Sequence, residues 1–255
     1  MPAIRVELLN TMATDLRIAM WSGPRNISTA MMRAWENRPD TVVCDEPLYG
    51  HYLLRTGSDH PGREEVIASQ ETDWRKVIAA LTGPIPSGKS IFYQKHMTLH
   101  LLPEIDRGWL DKVVNCFLIR DPREVAASYA RTRFDPTIHD LGYPQQAEIF
   151  DLVRAHTGQV PPVLDSRDVL ENPRRMLGLL CDAVGVPFSE VMLNWPPGRR
   201  PTDGVWAAYW YGSVEKSTGF ARHPPKTSAL SDALRPVAEA CEPFYRRLHA
   251  NRLGH

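Results

Sequence analysis

The sequence has no surplus of charge: thirty Lys plus Arg face thirty Asp plus Glu over 255 residues, a formal net charge of zero. A nucleic-acid binder normally carries a basic excess, so nucleic acid is not expected as a partner. Cysteine is scarce. Cys44, Cys116, Cys181 and Cys241 stand far apart with no metal-ligand spacing, so no metal site is expected from them. They read as reduced thiols, and the expected location is cytoplasmic. Long apolar runs are missing too. Nothing approaches the ~20 residues of a membrane helix, and the segment from Met1 to Arg17 lacks the apolar core of a signal peptide. No membrane partner is expected. Lysine is the rarer cation, at six against twenty-four Arg. Arginine presents a planar fork suited to phosphate and sulfate oxygens, although base composition alone can produce such a bias.

What is present is enough apolar material for a core. Hydrophobic residues make up 43% and charged ones 24%, which excludes a disordered chain. Short apolar runs alternate with helical patterns. Strands are predicted at Leu16–Trp21, Thr41–Cys44, Ser90–Gln94, Lys112–Ile119 and Pro162–Leu164. Helices are predicted at Thr29–Arg38, Asp73–Leu81, Asp121–Arg131, Glu171–Val184 and Ser231–Leu248, the last bent or broken near Pro236 and Pro243. This alternation predicts an α/β fold over residues 1–255 as one domain: three layers, a mostly parallel central sheet and helices on both faces. Ligands in such sheets bind beyond the carboxyl ends of the strands. Trp21 to Ser28, Asp45-Glu46, Lys95-His96 and Arg120 are therefore expected on one edge.

Two stretches resemble anion grips and one is a decoy. Gly83 to Ser90 satisfies the string G-x-x-x-x-G-K-[ST], but it follows a helical pattern and precedes a strand, the reverse of a nucleotide loop. Pro84 and Pro86 also remove two N–H donors. The better loop is Ser22 to Thr29, which follows a strand and opens a helix. There Arg25 supplies a cation, and Ser28 and Thr29 supply hydroxyls beside free helix N–H groups. The second grip pairs Arg120, at a strand's end, with Ser128, eight residues on in the next helix. An arginine fork plus a hydroxyl suits a phosphate. The plainer alternative for Arg120 is an ion pair with Asp121 or Glu124.

The ordered set of motifs resembles the sulfotransferases that use 3′-phosphoadenosine-5′-phosphosulfate (PAPS), a fold related to the P-loop NTPases. Pro24-Arg25-Asn26-Ile27-Ser28-Thr29 resembles their 5′-phosphosulfate loop, P-[KR]-[ST]-G-[ST]-T. Arg120 to Ser128 resembles their 3′-phosphate motif, R-[ND]-P-x-[DE]-x-x-x-S. His96 to Pro103 resembles H-x-x-x-x-L-L-P, and Asp168 to Pro187 resembles a D-L-x-x-[DN]-P…F-L-G-x-P stretch. Asn26 and Ile27 depart from the usual Ser and Gly, and Gln94 from the usual Lys. The family's C-terminal R-K-G clamp is absent, and Lys216 to Phe220, with Lys216 and Phe220 as contacts, is the stretch that would replace it.

The resemblance implies transfer of a sulfuryl group from PAPS, leaving adenosine 3′,5′-bisphosphate (PAP), to a hydroxyl or amine of a small-molecule acceptor. It implies no metal, because Arg25, with Ser28 and Thr29 on the phosphosulfate and Lys95 as helper, meets the charge that grows on the bridging oxygen. A general base must take the acceptor's proton. His96 and Glu46 are the two candidates, Glu46 ahead because Gln94 breaks the His motif. His100 is expected on the surface. Acceptor contacts are expected from Leu48 to Arg55, Arg131 to Tyr143 and Trp206 to Tyr211, with Tyr49, Tyr52, Phe134, Tyr143, Trp206 and Trp210 as lining aromatics. Two other readings stay open: a kinase or NTPase using Gly83–Ser90, and a catalytically silent nucleotide-binding protein. A monomer and a homodimer are both compatible with the sequence.

Overall fold

A computed structural model describes residues 15–131, 136–222 and 230–254. Five strands form the sheet: β1 (Leu16–Ser22), β2 (Thr41–Asp45), β3 (Ile91–Met97), β4 (Val114–Ile119) and β5 (Val163–Asp165). All pair in parallel, in the order β2-β3-β1-β4-β5. The helices are α1 (Ser28–Glu36), α2 (Tyr49–Thr56), α3 (Arg63–Ser69), α4 (Trp74–Thr82), α5 (Pro122–Tyr129) and α6 (Ile138–Leu141). They continue with α7 (Tyr143–Thr157), α8 (Ser166–Glu171), α9 (Pro173–Val184), α10 (Ala207–Trp210) and α11 (Arg235–His249). Among the described residues no helix is long and apolar enough to cross a membrane.

The period-two alternation of a strand sorts β1 between two cores. Ile18 and Met20 pack with Met31, Met32 and Trp35 of α1 and Leu177 and Leu180 of α9. Ala19 and Trp21 pack with Phe150 of α7 and Leu81 of α4 on the other face. This is the three-layer α/β architecture that the alternation predicts. The sheet edge where β1 passes to α1 and β4 passes to α5 is a topological switch point, the usual ligand crevice of such folds.

Local chemistry explains the departures from the predicted elements. The predicted helix Glu171–Val184 is two helices, because Asn172 ends α8 and caps α9 through its side chain on the Arg175 N–H, with Pro173 in the first turn. Pro236 starts α11 rather than breaking it, and Pro243 lies inside an unbroken span. Helix α7 has no counterpart among the predicted elements. Its buried face includes Gln146, whose amide donates to the carbonyls of Trp21 at 3.1 Å and Leu118 at 3.0 Å, so polar and small residues dilute its apolar period. The Gly83–Ser90 string leads from α4 through a 3₁₀ turn into β3, at the sheet's amino edge. There Arg17 binds the Gly83 carbonyl at 2.7 Å.

Candidate active site

The loop from β1 to α1 is wound by unusual backbone. Arg25 and Ile27 adopt φ of 63° and 56°, a region that bulky or β-branched residues avoid. Ile27 holds the N-cap position without a side-chain cap. The first helical bond runs from Met31 N–H to the Ile27 carbonyl at 3.1 Å. The N–H groups of Ser28, Thr29 and Ala30 therefore have no acceptor within the helix. Asn26 ties the loop to the sheet, its side-chain N–H donating to the Leu118 carbonyl at 3.1 Å.

The two predicted anion grips meet. Arg25 Nε donates to Ser128 Oγ at 3.0 Å, and Arg131 Nη2 donates to the same oxygen at 3.1 Å. Arg120 Nη1 donates to the Arg25 carbonyl at 2.8 Å while its Nε pairs with Glu124 at 2.9 Å. Arg120 thus keeps the ion pair its plainer reading foresaw and also braces the loop. Burial, then Arg131 and then Arg120, push the Arg25 pKa down. Crowded guanidinium groups of this kind are relieved by an incoming anion.

Pro24, Arg25, Asn26, Ile27, Ser28, Thr29, Arg120, Ser128 and Phe220 line one cavity of about 580 Å³ with Glu46 and Lys95. Its size is within the range of small-molecule sites. On its inner wall lies a nest of compensated charge. Lys95 Nζ reaches Asp45 Oδ1 at 2.8 Å, Glu46 Oε1 at 2.5 Å and the Tyr211 hydroxyl at 2.7 Å. Burial depresses Lys95, but Asp45, Glu46 and Tyr211 outweigh it and hold its pKa well above the ordinary range. Burial raises the Glu46 pKa, Lys95 opposes the rise and Asp45 adds to it. Glu46 also sits at φ 43°, so three of the four non-glycine residues with left-handed backbone among the described residues face this cavity. Such strain gathers at functional sites.

Several predicted contacts fall elsewhere. His96 is not on the cavity. It stacks on Trp21 with ring centroids 4.4 Å apart, and its Nε2 meets Gln94 Oε1 at 3.2 Å. Burial pushes its pKa down to about 3. The cause is alternation along β3: Lys95 and Met97 face the cavity, so His96 faces the opposite core. Lys216 is exposed and outside the lining, whereas Phe220 lines it and packs edge-on against Trp195 at 5.1 Å. Of the expected aromatics, Tyr49 and Trp210 line the cavity. Tyr52 lies against His100 with its ring tilted by 33°, and Trp206 donates from Nε1 to the Tyr211 hydroxyl at 3.2 Å. Tyr143 is spent on the Arg120 carbonyl at 2.7 Å, and Phe134 lies outside the described residues.

The largest correction concerns His100, which is buried and lines the cavity rather than the surface. A 3₁₀ turn after β3, Thr98–His100, brings it inward; spacing from His96 gave no sign of that turn. Tyr211 and Arg131, which fall inside the stretches expected to contact the acceptor, and Arg222, which no motif marked, are further site residues. The first lines the cavity and anchors Lys95, the second touches Ser128 and the third lines the cavity.

Residues 16–252 match the sulfotransferase domain family, so the chain belongs to that family. The crystal structure of a sulfotransferase from Alicyclobacillus acidocaldarius has a TM-score of 0.56 at 12% identity, covering 93% of this chain and 96% of that one. That likeness is one of fold. Two Arabidopsis thaliana proteins are similar in sequence. Branched-chain-amino-acid aminotransferase-like protein 1 is 36% identical over 94% of this chain, and protein 2 is 32% identical over 92%. The chain spans 43% and 41% of their respective lengths.

Proposed function

We propose that this chain is a PAPS-dependent sulfotransferase that moves a sulfuryl group to a hydroxyl or amine of a small molecule. The observation that carries the reading is the 3.0 Å contact between Arg25 Nε and Ser128 Oγ. It joins both anion grips on one cavity that also holds an ionisable base. PAPS, as co-substrate, brings the sulfuryl group and two separated anionic ends. Arg25, the free N–H groups of α1 and the Ser28 and Thr29 hydroxyls take the 5′ end. Arg120 and Ser128 take the 3′-phosphate. Phe220 offers an apolar surface for the adenine ring, and Lys216 lies outside the lining.

Glu46 accepts the proton of the acceptor's O–H or N–H. The acceptor atom then bonds to sulfur as the bond from sulfur to the bridging oxygen breaks. Arg25 and Lys95 meet the negative charge that grows on that oxygen. A buried carboxylate with a raised pKa is a stronger base than an exposed one, which suits an alcohol or amine proton.

Thermal unfolding with PAP against ATP tests the donor, since a ligand bound only by the folded state raises apparent stability. PAP is expected to stabilise the protein and ATP to do little; the reverse outcome overturns the reading. Radiolabelled PAPS with a panel of alcohols, phenols and amines tests transfer. PAP binding without transfer to any of them would point to a silent nucleotide-binding protein.

A further inference from the structure

Among the described residues Glu46 is gripped on one side-chain oxygen only. Lys95 meets its Oε1, while its Oε2 faces Nδ1 of His100 at 3.9 Å. That nitrogen is buried with no hydrogen-bond partner among the described residues, on a side chain 4% exposed. An unpaired buried polar atom is costly and rarely kept without a use. The ring is also fixed in place. Tyr49 lies parallel to it, 6° between planes and 4.6 Å between centroids, and Tyr52 backs it at 4.8 Å. A shift of about 1 Å would bring the two atoms to hydrogen-bond distance. Contacts seen without substrate are often long and tighten in the working complex.

The charged and titratable surroundings are few. Lys95 on β3, Asp45 on β2 and Tyr211 beyond α10 surround Glu46. His60, bonded through Nδ1 to the Tyr49 hydroxyl at 2.7 Å, lies against both Tyr49 and Tyr52 and lines the same cavity. Burial, then His60 and Lys95, hold the His100 pKa well below its ordinary range. The ring is therefore neutral and carries one N–H, and which nitrogen holds it decides what His100 does.

We propose that His100 is a positioning residue for Glu46, keeping its single ring proton on Nδ1 and donating a hydrogen bond from that N–H to Glu46 Oε2 during the reaction. The proposal rests on the reading of Glu46 as the base. Lys95 has no hydrogen to spare: its three contacts are Asp45, Glu46 and Tyr211. To meet charge on the bridging oxygen it must release one of them. A buried carboxylate that lost its lysine would take up a proton and cease to be a base. A neutral donor on Oε2 keeps the carboxylate ionised at that moment and leaves its remaining lone pairs facing the acceptor.

Nitrogen-15 NMR of the histidine-labelled full chain, with and without PAP, reads the tautomer directly. The Nδ1–H form is expected for His100, and an Nε2–H form overturns the proposal. Carbon-13 NMR of labelled Glu carboxyls then follows the titration of Glu46. His100→Phe keeps the stack and removes the donor, so Glu46 is expected to titrate about one pH unit higher. His100→Asn restores an N–H near the Nδ1 position and is expected to titrate as the unaltered protein does. Equal Glu46 titrations in the unaltered protein and His100→Phe, or His100→Asn titrating as high as His100→Phe, overturn the proposal. If His100→Phe does not fold, the tautomer and His100→Asn still decide. Failure of the sulfotransferase reading would show separately, as absence of PAP binding, and leaves these titrations readable.

Discussion

The two ends of the cavity hold charge in opposite ways. At the rim, Arg25, Arg120 and Arg131 converge on one serine hydroxyl and one carbonyl, and the acid in contact, Glu124, pairs with Arg120 and Arg167. Arg25 makes no ion pair among the described residues. At the inner wall, Lys95 is enclosed by Asp45, Glu46 and the Tyr211 hydroxyl. The rim is left positive for a ligand to complete; at the wall the lysine is matched before any ligand arrives. A positive rim supplies binding. A compensated wall supplies a carboxylate that can change its protonation state without unfolding its surroundings. The contrast implies that substitutions at the rim change affinity, and those at the wall change chemistry or stability.

Glu46→Gln is the most damaging test of that division. Removal of a general base costs on the order of 10²–10⁴-fold in rate, while PAP affinity, measured by calorimetry, is expected to stay within a few-fold. A large loss of PAP affinity would merge the two regions into one. In the unaltered protein, transfer rate is expected to rise with pH as Glu46 loses its proton. Because the folded-state pKa is raised, the midpoint lies above the ordinary 4.5. A flat profile through that range would remove Glu46 from the proton path.

Lys95→Met is expected to act on stability first. It leaves Asp45 and Glu46 buried side by side without their cation, and breaking a buried pair this way costs about 3–5 kcal/mol. Chemical denaturation measures it. The loss should shrink on acidification. Carboxyls whose folded pKa lies above the unfolded one bind protons more readily in the folded state, so their penalty is absent at low pH and appears as pH rises through the folded pKa. A deficit that does not vary with pH would mean that packing, not charge, is what the lysine supplies.

Arg25→Ala and Arg120→Ala are the matching tests at the rim. Charge-assisted hydrogen bonds are worth about 1.5–3 kcal/mol, so each is expected to weaken PAP roughly 10- to 100-fold with little change in unfolding midpoint. Arg120→Ala carries a second cost, because its side chain also holds the Arg25 carbonyl. The double variant should therefore lose less than the product of the two singles. Full additivity would show that Arg120 acts on the ligand alone.

The sheet and the rim were legible from the sequence because both depend on short-range patterns. Apolar runs of strand length bounded by turn residues gave β1 to β4 to within a few residues. A strand–loop–helix context separated the loop at Pro24–Thr29 from the Gly83 string. The inner wall was less legible, since it is made by long-range meetings. Tyr211 reaches Asp45 across 166 residues and Lys95 reaches it across 50. The choice between His96 and Glu46 turned on which residues of β3 face the cavity, and a strand buried along its whole length conceals that parity because polar residues stand on both of its covered faces. His100 was misread because a single 3₁₀ turn, not a helix, follows the strand.

Ile27 gives the smallest and most discriminating effect. Its φ of 56° lies where a side chain is penalised by roughly 1–2 kcal/mol, and related loops place glycine there. Ile27→Gly removes that penalty. It also frees the unfolded chain by about 0.5–1 kcal/mol and forfeits the contact of a half-buried side chain with the core around Met31 and Trp35. These terms oppose one another, so stability is expected to stay within about 1 kcal/mol of the unaltered protein, whereas truncating an ordinary buried isoleucine to alanine already costs about 2–5 kcal/mol. Denaturant midpoints decide this. A loss of the larger size would mean that the side chain's packing, not the loop's backbone, holds Arg25 against Ser128. In that case PAP affinity would fall with stability, and the rim would prove to be built from the core outward.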